Sequence, residues 1–131
     1  MLSGLAELTR YWIVVNKFTP TGPLYEHLTP KNIDGLTTDH WDRKYHPGYF
    51  TILNLDFWFS ASVQDFLVTV LRTGKDVEGR WQEQGVINMV RLLFLPDSSV
   101  MVVPQQEEIK HDRHIKVNYE NWCKKLVDTV L

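Results

Sequence analysis

Between Ser60 and Gly74 the sequence leaves little conformational choice. Val63, Phe66, Leu67, Val70 and Leu71 recur at i, i+3, i+4, i+7 and i+8, the spacing that lines one face of an α-helix. Ser60 and Ser62 offer caps, Ser62 with Asp65 has the spacing of a capping box, and Gly74 supplies the residue type that ends helices. Such a helix is unstable alone and must lay its stripe against other apolar surface. At 131 residues, with 44% hydrophobic side chains, the chain has the size and composition of one soluble domain with a core of its own.

Similar patterns appear on both sides. Residues 3 to 18 predict a helix with Leu5, Leu8, Trp12 and Val15 as its stripe and Ser3 as its cap. Thr19-Pro20-Thr21-Gly22-Pro23 ends it. A short helix or turn at 24 to 28 precedes Pro30, and residues 31 to 48 form a long polar loop of the kind that often carries function. Tyr49 to Phe59 is aromatic and β-branched in its first half and predicts a buried strand running into a turn. A second long helix is expected from about Arg80 to Phe94, stopped by Pro96, then a short strand at Val100 to Val103. A last helix from Asn118 carries Tyr119, Trp122, Leu126 and Val130 on one face. The alternation of helices with a few strands predicts a mixed α/β class, helices packed on a small sheet, in a single domain spanning residues 1 to 131.

Several functions are disfavoured. Net charge is −2, with 14 basic and 16 acidic residues and no long single-sign run, which argues against nucleic acid as partner. No apolar run reaches the length of a membrane span, and MLSGLAELTRYW carries Glu7 and Arg10 where a signal peptide would be apolar. The single cysteine, Cys123, excludes an internal disulfide. Neither a phosphate-cradling Gly-rich loop nor a Gly-x-Ser-x-Gly elbow occurs.

The residues with chemical potential form three groups. His111 and His114 lie three apart, a spacing that can share a metal on a helix, although the segment has no clear helical pattern and loop histidines in solvent explain them better. Asp39 and Asp42 bracket Trp41, with Asp42 beside Arg43 in the manner of a loop ion pair. Asp56, between Leu55 and Phe57, is either a cap for the turn that follows or a ligand at a strand's carboxyl end. In Arg80-Trp81-Gln82-Glu83-Gln84, a guanidinium, an indole, a carboxylate and amides open a helix. Glu83 is favourable there through the helix dipole alone. The same mixture also suits a sugar, whose apolar face stacks on Trp and whose hydroxyls bond to carboxylate, amide and guanidinium.

Taken in order, Tyr49-Phe50-Thr51, Leu55-Asp56-Phe57-Trp58, Ser60, Val63-Gln64, Phe66, Gly74, Arg80-Trp81-x-Glu83 and Leu93-Phe94-Leu95-Pro96 resemble the C-terminal half of yeast-type α-1,2-mannosyltransferases, glycosyltransferase family 15. Glu83-Gln84-Gly85-Val86-Ile87-Asn88 is similar to the Asp-Gln-Gly-x-x-Asn helix start of other GT-A glycosyltransferases. The resemblance covers about residues 43 to 111. It implies a partial GT-A-like domain on the acceptor side, with the nucleotide-binding half and its acid-x-Asp metal motif expected upstream of Met1. It further implies mannosyl transfer from GDP-mannose to a glycan or glycoprotein acceptor, Mn²⁺ dependence and a Golgi-lumen setting. Carried over by position, Glu83 and Asp56 become the catalytic candidates. Arg80, Trp81 and Gln84, with Tyr49 and Trp41, become the substrate-binding set, and His111 falls near the metal-contacting histidine. Two departures stand out. The family's Asn-Phe-Glu, whose Glu is a proposed catalytic carboxylate, is missing between Thr51 and Ile52, and the Asp-Ala-Pro side of the Arg-Trp motif is Glu83-Gln84-Gly85. The competing expectation is therefore a truncated, non-catalytic domain that binds carbohydrate or protein.

Overall fold

The computed structural model describes residues 4–43, 52–75, 81, 83–101 and 127–128. The chain divides into two compact units, Met1–Ser99 and Val100–Leu131. Of the second, only residues 100, 101, 127 and 128 are described, the last two helical.

Helix α1 spans Leu5–Asn16. Gly4, at φ 88°, takes the N-cap position, and Lys17, at φ 49°, closes the helix by donating its N–H to the carbonyls of Ile13 and Val14. The buried face is Leu5, Ala6, Thr9, Trp12 and Ile13, so the stripe is rotated from the expected Leu5–Leu8–Trp12–Val15 line, and Val15 is exposed. Thr9 can occupy the interior because its hydroxyl donates to the Leu5 carbonyl at 2.8 Å.

The expected strand at 49–59 is corrected where it is described. Residues Leu55–Trp58 form a short helix, α2, whose N-cap Asn54 accepts from the Phe57 N–H at 3.2 Å. Ile52 is 70% exposed and unstructured. The physical reason is that a strand needs a second strand to satisfy its backbone, and among the described residues none is available; Val100 and Met101, the described part of the other expected strand, lie outside any strand as well. Asn54 offers the chain a local alternative in the form of a capped turn. Among the described residues there is no strand and no sheet, only an isolated antiparallel bridge between Leu28 and Trp41. The α/β architecture with helices on a sheet, and the partial GT-A-like fold inferred with it, are thereby overturned in favour of a helical one.

Helix α3, Ala61–Arg72, buries Val63, Phe66 and Val70 of its predicted stripe, with Leu67 partly buried and Leu71 exposed at the stripe's margin, and Gly74 follows at φ 65°. The expected capping box does not form. Ser60 is the N-cap, its hydroxyl donates to the Phe57 carbonyl at 2.6 Å, and Asp65 is used elsewhere: its Oδ2 accepts from the Trp12 indole N–H at 2.8 Å. Helix α4, Glu83–Phe94, buries a wide face including Gly85, Met89, Val90, Leu92 and Leu93. It ends before Pro96, as expected.

The three long helices meet at an aromatic cluster. Trp12 stands edge-on to Phe66 and Phe94 at centroid distances of 5.5 and 5.7 Å, and Phe18 lies 5.1 Å from both Trp12 and Phe94. Tilted and edge-to-face rings at these separations add about 0.5–1.5 kcal/mol per pair beyond burial. The Thr19–Pro23 segment then crosses the carboxyl end of α4. The backbone N–H groups of Thr21 and Gly22 donate to the Leu93 carbonyl, and the Thr21 hydroxyl donates to that of Phe94 at 2.6 Å. Carbonyls that a helix end leaves orphaned are thus capped from another part of the chain. Gly22 is required by this approach: a Cβ there would collide with the Leu92 carbonyl.

Candidate functional site

The polar stretch between α1 and α2 is folded back on itself. Leu28 and Trp41 form the bridge, Thr29 N–H donates to the His40 carbonyl at 3.1 Å, and Asp42 N–H donates to that of His27 at 3.1 Å. Two 3₁₀ turns, Leu24–His27 and Ile33–Gly35, shape the chain between and before these rungs. Leu28 and Trp41 turn inward and are buried, which leaves the polar residues flanking them at the surface. Helix α1 fastens the tip of the loop. Glu7 accepts from both the N–H and the hydroxyl of Thr38 at 2.7 Å, and the Thr38 hydroxyl in turn accepts from Gly4 N–H at 3.0 Å. Burial on its own would raise the Glu7 carboxyl, but the Thr38 hydrogen bonds, its own backbone N–H and the charge of Lys75 together hold it below its ordinary value.

This arrangement borders a shallow, open cleft of about 310 Å³ lined by Glu26, His27, Leu28, Thr29, Lys31, Asp39, His40, Trp41 and Asp42. The volume lies at the small end of the roughly 300–1,000 Å³ found for ligand sites. His27 Nδ1 is 3.0 Å from Asp42 Oδ2, both side chains about one-third exposed or less. His40 Nδ1 is 3.0 Å from the Thr37 hydroxyl. Lys31 donates to Glu26 at 2.8 Å, and that hydrogen bond and charge lower the Glu26 carboxyl from its usual range. With neutral imidazoles the lining carries three carboxylates against one ammonium. Trp41 is 2% exposed, and among the described residues its Nε1 has no hydrogen-bond partner. A buried indole donor left in that condition costs about 1–3 kcal/mol unless water or a ligand serves it.

The residues singled out from sequence are distributed as follows. Trp41 lines the cleft. Trp81 is 3% exposed, belongs to the hydrophobic core and lies against Gly4, so the faces of its ring are covered by protein. Glu83 is the first residue of α4 and Gln84, half-buried, follows it. Asp56 is exposed on α2. Arg80, Tyr49 and His111 lie outside the described residues, and so does the Mn²⁺ contact that the resemblance implies for His111. Among the described residues, no group of three His, Cys, Asp or Glu side chains is placed to hold a metal ion. No helix among them is long and apolar enough to cross a membrane.

Sequence reasoning missed His27 and Glu26, which it left inside an unremarked turn. A signal for them exists. His27-Leu28-Thr29 and His40-Trp41-Asp42 are each polar–apolar–polar, the alternation that lets two short segments pair with both apolar residues on one side. Comparison with family models, curated proteins and solved structures gives no match to this chain.

Proposed function

We propose that this chain is the glycan-holding part of a mannosyl-transfer protein, and that the Trp41 cleft holds a neutral saccharide. The observation that carries this reading is the lining of the cleft. Carboxylates, imidazoles and a threonine offer many hydrogen-bonding groups for hydroxyls and little net positive charge, while Trp41, 2% exposed, backs the cleft without presenting an open ring face. A diphosphate would meet three carboxylates there and a lysine already paired with Glu26. A saccharide meets no such repulsion. The motif order of residues 49 to 96 supplies the mannosyl part of the proposal, with GDP-mannose as donor, Mn²⁺ as metal and the Golgi lumen as setting.

The binding reading needs no donor chemistry from this chain. The absence of the family's Asn-Phe-Glu favours holding a glycan over catalysing transfer, and the covered ring of Trp81 takes that residue out of the sugar-stacking role, so the proposal rests on the 26–42 cleft alone. Two measurements test the proposal. Titration of ¹⁵N-labelled protein with α-1,2-mannobiose should shift resonances of residues 26 to 42 saturably, and GDP-mannose should leave them in place. Incubation with GDP-mannose, Mn²⁺ and mannobiose should give no trisaccharide. Turnover would make the chain an enzyme, and no response to any saccharide would remove the carbohydrate reading altogether.

A further inference from the structure

The cleft contains a side chain with one nitrogen fixed and one left over. His27 lines the cleft, and its Nδ1 is held by Asp42 at 3.0 Å. An ionised carboxylate only accepts, so Asp42 selects the tautomer with the proton on Nδ1, and Nε2 carries the lone pair. Among the described residues Nε2 has no partner. Asp42 is itself positioned by the backbone rung, its N–H donating to the carbonyl of His27. The two residues are therefore joined twice, once through main chain and once through side chains, which holds the Nδ1 edge of the ring toward Asp42.

We infer that His27 is the specificity-determining residue of the cleft: its Nε2 accepts a hydroxyl of the bound saccharide, and Asp42 is the residue that positions it. The inference rests on the saccharide reading above and adds the contact that would select among saccharides. A fixed acceptor of this kind discriminates ligands that present a hydroxyl at one position from those that lack it, because the deoxy analogue leaves the nitrogen desolvated and unpaired. Glu26, Lys31, Asp39 and His40 also line the cleft. Among these, His40 is engaged with Thr37 and Lys31 with Glu26, so neither duplicates the arrangement at His27.

The experiment uses the full chain, α-1,2-mannobiose and its monodeoxy analogues, with affinity and ¹⁵N imidazole shifts as readouts. H27N keeps an amide N–H near the Nδ1 position for Asp42 and deletes the acceptor; affinity should fall roughly tenfold. H27Q places an amide oxygen near the Nε2 position and should restore most of it. D42N retains a hydrogen-bonding partner for the ring and should keep most of the affinity, whereas D42A frees the ring and should weaken binding about as much as H27N. One deoxy analogue should bind wild type weakly and lose nothing further in H27N. If mannobiose binds and H27N binds equally well, His27 has no such role and the glycan proposal stands without it. If wild type binds no saccharide, both fall. Melting curves of each variant separate lost contacts from lost folding.

Discussion

Two regions of this molecule solve the same problem differently. At the carboxyl end of α4, Thr21 and Gly22 cap the Leu93 and Phe94 carbonyls while Trp12, Phe18, Phe66 and Phe94 interlock beneath. In the 26–42 loop, one bridge and a ring of side-chain hydrogen bonds hold the chain around a cleft. The first region excludes water and tolerates almost no added volume. The second keeps polar groups at the surface and is held largely by hydrogen bonds. The lesson is that the packed core and the proposed binding cleft draw on different segments, so changes in one should leave the other largely intact.

The largest expected effect is in the aromatic cluster. F66A removes a fully buried ring that faces Trp12 and Phe94, and should cost about 3–5 kcal/mol in urea unfolding. G22A should follow at about 3 kcal/mol, since its new methyl group collides with a helix carbonyl, a backbone atom that cannot swing aside. Both variants should retain mannobiose affinity per folded molecule if the two regions are independent. A coupled loss of affinity would break the comparison.

D65A comes next. It leaves the buried Trp12 indole N–H without its carboxylate and should cost about 2 kcal/mol, read as a lower denaturant midpoint at unchanged slope. D65N should recover much of this, because the amide oxygen still accepts.

How legible these regions were differs in kind. The α3 stripe and the end of α4 at Pro96 follow from periodicity and punctuation, and the structure has both. The rotation of α1 did not, because Thr9 reaches the core only by bonding its own helix, a choice invisible to a hydrophobic count. Asp65 reads locally as half of a capping box, yet an indole 53 residues away takes it. The strand expected at 49 to 59 failed where described because β-structure is settled by partners, and Asn54 gave a local cap instead. Trp81 was expected at an open rim from its polar neighbours, and its surface went into the core. The cleft itself needed a pairing between segments 13 residues apart, Leu28 with Trp41; the two polar–apolar–polar triplets permit it, but nothing local says that they choose each other.

The smallest effect probes the join between the two regions. Glu7 sits on α1 and holds Thr38 of the loop through two bonds. Its carboxyl titrates below its ordinary value in the folded chain. The stabilisation it provides is thus fully present above the unfolded-state pKa, roughly 4.3, and is lost as pH falls through the lower folded value. E7Q keeps the shape and removes the charge. At neutral pH it should be destabilised by less than about 1 kcal/mol, since the site is exposed to solvent. On acidification the wild type should lose this advantage until the two proteins unfold at the same denaturant concentration. Because Thr38 leads directly into Asp39, His40 and Trp41, E7Q should also weaken mannobiose binding slightly at neutral pH. A stability difference that persists in acid would mean the carboxylate's charge is not what fastens the loop, and an unchanged affinity would mean the cleft keeps its shape without that fastening.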